Sequence, residues 1–414
     1  MQEKIRENLS NPSVLESLYR RDRNAFRKAF LLLYPDVRED LVAQSWAARF
    51  NDSTDARVPY GIRDWAFVVV AAVLAFILAK IPTFFSVSDD FYYSRNVGFL
   101  VFPFLSAYFL WKQSQPLKTV LRVLFLFVAS AVYINLLPDV EKSDTLVLAC
   151  IHLLLFLWSI LAFSFMGRHW RRTDRRLDFL RYNGDLIVMV SLILLSGGIL
   201  SGITLGLFEL IDMSIESFYI QWIVVLGLVA APMVATHLVQ SNPTLVNRIS
   251  PMIARIFTPL VLVMLIVYLL FVFISGKSPY SDRDFLLVFN ALLVGVMALL
   301  FFSVAESSAL RMSRYRKFLV LSVSFLTLLI NGIALSAIIF RISEWGITPN
   351  RLAVLGSNLL MFSHLLLVSM RMVALFRHRN NTDTVEDGIA FFLPVYSAWA
   401  FVVTFLFPWI FHFA

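Results

Sequence analysis

From Asp64 to the C-terminus the chain is a succession of apolar runs, and no other feature restricts its fold so sharply. Each is long enough to cross a hydrocarbon core of about 30 Å, which takes roughly 20 helical residues. The strands of a closed barrel would show ~10-residue alternating segments, and these runs do not alternate. Composition agrees: with 59% hydrophobic and 15% charged residues, 414 residues carry too little polar surface to coat a soluble globule. The expected fold is all-α, a polytopic transmembrane helix bundle.

Eleven spans are expected, at about 64–85, 96–112, 118–137, 145–166, 184–210, 217–240, 252–275, 284–305, 317–340, 351–376 and 390–412. Lys and Arg test this division, because they concentrate in alternate loops on the cytoplasmic side. The N-terminal region and the loops around Lys112 to Arg122, Arg168 to Arg181, Arg248 to Arg255, Arg311 to Lys317 and Arg371 to Arg379 hold 29 of the 36 basic residues. The opposite side receives the other 7, with 11 acidic residues that include Asp89, Asp90, Asp139, Glu141, Asp144, Glu209, Asp212 and Glu216. The expected orientation therefore has the N-terminus cytoplasmic and the C-terminus outside.

The same asymmetry accounts for the net charge of +8. It is an orientation signal that also suits anionic lipid head groups. No base-reading motif accompanies it, so no nucleic-acid partner is expected. Polar, charge-rich sequence precedes the first apolar run, which makes the first helix the insertion signal rather than a cleaved leader. The lone cysteine, Cys150, excludes an intrachain disulfide and a cysteine-based zinc cluster.

Residues 1–62 read as a small helical cytoplasmic head before a transmembrane domain at 63–414. Asn11 suits a helix cap, Pro12 a first helical position, and Pro35 a stop. Leu15, Leu18, Tyr19, Phe26 and Phe30 recur at helical spacing, and Val37, Leu41, Trp46 and Phe50 form a less regular stripe. Such a head either packs on itself or offers a surface to a cytosolic protein partner or to lipid.

Polar groups at membrane depth are expensive and mark candidate sites. His152, Asn290, Asn331 and Asn358 fall in the outer halves of spans, His364 lies nearer a middle, and Glu209 stands near the outer end of the fifth. Converging, they would line an outward-opening hydrated pocket suited to a cation or proton; otherwise the asparagines bond between helices and the acid sits in water. The outer segment RISEWGITPNRL contains a possible charge cluster of Arg341, Glu344 and Arg351. It also reads as a tight reversal, with Gly346 at the turn, Thr348 as cap and Pro349 as the first helical residue. Pro259 falls inside the seventh span, where a proline frees a carbonyl and can kink the helix.

In LLSGGILSGITLGLFELID, Gly198, Gly202 and Gly206 lie four apart on one helical face. A small face of this kind lets another helix approach closely, so these glycines are assigned to helix packing.

No phosphate-binding Gly-Lys loop, nucleophile elbow or His-Glu-x-x-His helix is present, and the six histidines are scattered. No cofactor or metal is expected. The segments HLVQSNPTLVNRISPMIARIFTPLVLVMLIVYL, GKSPYSDRDFLLVFNALLVGVMALLFFSVAE, EWGITPNRLAVLGSNLL and the N-terminal LESLYRRDRNAFRKAFLLLYPD resemble a family of uncharacterised multi-pass bacterial inner-membrane proteins, of the kind common in Bacteroidetes. That resemblance implies a bacterial inner-membrane address and a single membrane domain, and supplies no activity. The leading expectation is a non-enzymatic, transporter-like carrier of a small solute or ion. The alternative is an envelope sensor, scaffold or assembly component acting through the head; a membrane-embedded transferase acting on lipid ranks third.

Overall fold

The computed structural model describes residues 1–52, 62–140, 143–210, 213–241, 243–274, 280, 283–306, 313–377 and 383–413. Glu141, Asp212, Arg311 and Arg379, named above, lie outside the described residues. The chain separates into two compact units, Met1–Arg63 and Asp64–Ala414.

The first unit contains α1 (Gln2–Glu7), α2 (Pro12–Arg21), α3 (Arg23–Leu33) and α4 (Leu41–Asp52). Pro12 opens α2, while the Asn11 side chain takes a hydrogen bond from the Ser13 hydroxyl (2.7 Å) instead of capping a backbone amide. Pro35 sits in a 3-10 turn that ends α3. The cap of α4 is Asp40, whose Oδ1 accepts from the backbone amides of Val42 (2.8 Å) and Ala43 (2.9 Å). Leu15, Phe26, Phe30 and Trp46 fill a core in which the Trp46 ring lies 5.0 Å from Phe26 and 5.2 Å from Tyr19. The inward face of α4 is Ala43, Trp46 and Ala47, at helical spacing; Leu41, expected on that stripe, is 78% exposed.

The second unit begins with α5 (Ile62–Ala79), α6 (Ile81–Phe85), α7 (Asp89–Asn96), α8 (Phe102–Lys112), α9 (Leu117–Leu136), α10 (Asp144–Met166) and α11 (Thr173–Glu209). It continues with α12 (Glu216–Phe218), a π-helical stretch over Tyr219–Val224, α13 (Val225–Ser241), α14 (Pro243–Ile274), α15 (Arg283–Glu306), α16 (Arg314–Trp345) and α17 (Pro349–Arg377). The last elements are α18 (Asp383–Phe391), α19 (Leu393–Phe401), a second π-helical stretch over Val402–Leu406, and α20 (Phe407–Ile410).

Among the described residues, eight helical stretches are long and apolar enough to cross a membrane, and two shorter apolar ones, Ile256–Leu270 and Phe289–Ala305, lie within α14 and α15. The chain is a multi-pass helical membrane protein. The expected count of eleven full spans needs correction at 96–112, which is not one helix. There a 3-10 turn over Val97–Leu100 precedes the 11 residues of α8, with Pro103 at its start. The helix α14 runs on through Pro259.

Contacts between helix ends fix which ends lie together. Lys112 pairs with Asp64, Gln113 donates to the Phe165 carbonyl (2.7 Å) and Arg176 to the Ala390 carbonyl (3.3 Å), gathering one end of the unit. Arg341 donates to the Tyr280 carbonyl (3.1 Å) and Ser143 to that of Phe413 (2.9 Å) at the other. These are termed here the basic and the acidic end, after their charge in the sequence. A core of Phe109, Leu161, Phe179 and Met233 holds the early helices, and another of Phe289, Leu293, Ile330, Met361 and Ile389 holds the late ones. The helix α10 touches α8, α9 and α11 as well as α17 and α19, so it joins the two groups.

The most apolar stretch of α11 is 0% buried within the chain, against 22–44% for the other seven long stretches. A methyl group added at Gly198, Gly202 or Gly206 would meet nothing within 4 Å. Among the described residues, no helix of the chain itself uses this small face.

Candidate functional site

Ser357, His364 and Arg371 stand seven apart on α17, which places them along one face. Each meets the last part of the chain. The Trp399 indole donates to Ser357 Oγ (2.9 Å), and His364 Nδ1 lies 3.1 Å from the Tyr396 hydroxyl. A Cβ at Gly388 would stand 3.1 Å from both Cδ and Nη1 of Arg371, so that glycine is what lets α18 lie against the arginine. Gly356 does the same for Trp399, whose indole a methyl would overlap. The seam is thus polar at three levels and closed by two glycines.

The partner of this stripe carries a proline near its middle and remains helical, with the Tyr396 amide donating to the Phe392 carbonyl (3.0 Å). Phe392 separates α18 from α19, and Pro394 in the first turn of α19 has no amide to offer the Ala390 carbonyl. Arg176 of α11 supplies the missing donor, holding the Trp170 carbonyl at the same time (3.0 Å). The ring of Phe392 stacks on His364 at 4.3 Å and 6°, and Phe301 touches the imidazole at 4.2 Å. His364 is 1% exposed, an imidazole held by two phenyl rings and one hydroxyl.

Tyr396 also lies 3.6 Å from the Met297 sulfur. The Tyr396 hydroxyl donates to the Met297 sulfur when His364 Nδ1 carries the ring proton and itself donates to the Tyr396 oxygen, and donates to Nδ1 in the other tautomer. His364 Nε2 is buried with no hydrogen-bond partner among the described residues.

One and a half turns along α17 the asparagines meet: Asn331 of α16 donates to the Asn358 carbonyl (3.2 Å). Asn331 Oδ1 and both amide atoms of Asn358 are buried without a hydrogen-bond partner among the described residues. Of the remaining sequence candidates, Asn290 lies on α15 with its Oδ1 buried and unbonded. His152 turns to the Leu148 carbonyl of its own helix (2.9 Å), and Glu209 ends α11 exposed. Among the described residues none of these three bonds to the asparagine pair or to His364. Asn331 and Asn358 are therefore brought together, with His364 about 9 Å further along the axis at 1.5 Å per residue.

The reversal between α16 and α17 uses the residues expected of it. Gly346 takes φ +77°, Thr348 Oγ1 accepts from the Arg351 amide (3.3 Å) and Pro349 opens α17. Arg351 also donates to the carbonyls of Trp345 and Gly346 (2.8 Å each), placing a cation at the C-terminus of α16. Arg341 and Arg351 both approach the Trp345 ring, at 6.0 and 5.7 Å, while Glu344 is exposed and forms no ion pair among the described residues.

Two polar groups escaped the sequence. At the basic end, Asp64 and Lys112 form an ion pair, and Trp65 beside it contacts His237 at 4.5 Å. At the acidic end, Arg95 pairs with Asp139 (3.0 Å), Lys80 covers Trp222 at 4.9 Å, and Asn96 and Asn135 exchange amide hydrogen bonds of 2.9 and 2.8 Å. Tyr92 and Tyr93 donate to the Leu78 and Ala79 carbonyls (2.7 and 2.8 Å), closing the C-terminus of α5. Burial raises both phenol pKa values, so they remain donors. The available signal was charge at the margins of apolar runs, which also occurs at ordinary helix ends.

Among the described residues no group of three or more His, Cys, Asp or Glu could hold a metal ion. No protein-family model, curated protein or solved structure matches the chain. What stands of the family resemblance is a multi-pass helical membrane protein.

Proposed function

We propose that the chain is a transporter-like carrier of a small solute or ion, with the seam between α17 and the proline-bearing last span as its route. One observation carries this reading: the polar stripe Ser357, His364 and Arg371 faces a span whose backbone ladder loses a donor at Pro394. A proline inside a span frees a carbonyl and weakens the helix at that point, and carriers build their sites where spans are weakened in this way. An ionisable side chain in the interior of the membrane domain is otherwise costly, and His364 offers a hydrogen-bonding centre there. In this reading the basic end faces the cytoplasm of a bacterium and touches anionic head groups through its arginines.

The test is flux. The purified chain in sealed vesicles, with an internal pH dye, is challenged with a panel of small ions and solutes under an imposed gradient. A carrier gives protein-dependent flux that His364→Gln reduces at least tenfold while Trp170→Phe leaves it intact. Either flux equal to that of empty vesicles across the panel or full activity of His364→Gln for a solute that does move removes the reading.

A second reading has its own support. The Met1–Arg63 unit is compact by itself, and it leaves Leu31, Leu32 and Leu41 50–78% exposed. Pro12, Glu16, Val42, Ser45 and Trp46 line a shallow groove on the same unit. A sensor or scaffold docking a cytosolic partner would use such a surface. Deleting residues 1–52 would then abolish the cellular phenotype and spare flux.

A further inference from the structure

Arg95 is the most deeply buried cation of the described residues, with a side chain 1% exposed. Its planar fork is only half used. Nη2 meets one oxygen of Asp139 at 3.0 Å, the guanidinium carbon lies 4.1 Å from the centre of the Phe91 ring, and Nη1 is buried with no hydrogen-bond partner among the described residues. An unpaired donor on a buried charge costs more than one on a neutral amide, so a fork in this state is incomplete. The partner it does have is lightly held: the Asp139 side chain is 71% exposed, beside Pro138 in the loop that follows α9.

A guanidinium presents two parallel N–H donors to one oxyanion, and a carboxylate or phosphate group satisfies both at once. Asp139 reaches only one. We propose that Arg95 is an oxyanion-binding site at the acidic end, and that Asp139 is a tethered carboxylate which an external carboxylate or phosphate group displaces. The ring of Phe91 covers the face of the guanidinium, leaving the edge of the fork for recognition. The lipid phosphate and a small free anion share this chemistry. The site does not depend on the route along α17, since its residues lie on α7 and in the loop after α9.

The test uses the full chain in nanodiscs of phosphatidylcholine, titrated with sodium acetate or inorganic phosphate against chloride at matched ionic strength, with thermal unfolding as the readout. Wild type gives a saturable rise in Tm. Asp139→Asn removes the internal competitor and lowers the half-saturating concentration about fivefold, the worth of a lightly held ion pair. Asp144→Asn, which takes an acid from the same end without touching Arg95, leaves it unchanged. Arg95→Gln loses the response. If discs containing phosphatidylglycerol raise the starting Tm and suppress the titration, lipid phosphate is the occupant; if the titration persists there, a free anion is. Equal half-saturation in wild type, Asp139→Asn and Asp144→Asn overturns the proposal, and so does an undiminished response in Arg95→Gln. Should Arg95→Gln fail to fold, the comparison of the two aspartate variants decides alone.

Discussion

The Nζ of Lys112 lies 2.5 Å from a carboxylate oxygen of Asp64, 48 residues earlier. Asp64 is in the first turn of α5 and Lys112 is the last residue of α8, so the chain leaves the basic end through α5 and returns to it by Lys112. It does so although α8 has only 11 helical residues. The 3-10 turn over Val97–Leu100 connects it to α7.

Removing one member of that pair should cost more than removing both. Asp64→Leu leaves a cation and Lys112→Met leaves a 5% exposed carboxylate, each expected to cost about 1–3 kcal/mol after discounting the 20% exposure of the lysine side chain. The double variant should recover part of the loss, read as a Tm intermediate between wild type and the worse single variant. Strict additivity of the two losses would show that the pair contributes no coupling.

Two glycines should answer in opposite ways. Gly356→Ala drives a methyl into the Trp399 indole and is expected to destabilise by about 1–3 kcal/mol. Gly202→Leu enters open space and should leave the Tm of the monomer unchanged. If that glycine face packs on another helix as proposed, Gly202→Leu will instead lower the associated fraction seen in crosslinking. A fall in monomer Tm would mean that the face is covered within the chain.

Tyr396→Phe removes the only hydroxyl that His364 Nδ1 meets, at 3.1 Å. The loss should be modest in stability, about 1 kcal/mol. Flux in the vesicle assay should fall nearly as far as in His364→Gln, because the imidazole loses the bond that orients it. Unimpaired flux in Tyr396→Phe would place the tyrosine outside the route.

Asp40→Ala deprives the amides of Val42 and Ala43 of their acceptor. Loss of a helix cap costs about 1 kcal/mol, which corresponds to roughly fivefold faster amide hydrogen exchange in the first turn of α4 if that turn opens locally. Exchange in α10 should not change. Equal exchange of the α4 peptide in both proteins would show that Asp40 is replaceable as a cap.

Local chemistry was legible and distant pairing was not. Gly346, Thr348 and Pro349 act within a few residues of one another, so their turn could be read directly from the letters. The apolar runs likewise announced helices, because crossing lipid demands length and apolarity that no other context supplies. By contrast, the partner of His364 lies 32 residues away, that of Asp64 48, and that of Arg176 214. Sequence spacing says nothing about which helices become neighbours. The same limit applies to Gly202: its smallness permits close approach, but whether a neighbour arrives is decided elsewhere.

Ser397 of α19 bonds to Ser159 of α10, 238 residues earlier in the chain. At about 5–20 residues per second of synthesis, α10 leaves the ribosome roughly 10 to 50 s before the helix that seats against it. During that interval the early bundle has a vacant slot facing lipid. A chain stopped short of Leu393 would therefore do more than lack a tail: it would leave the α10 surface open, a ready substrate for membrane proteases that survey unfinished proteins.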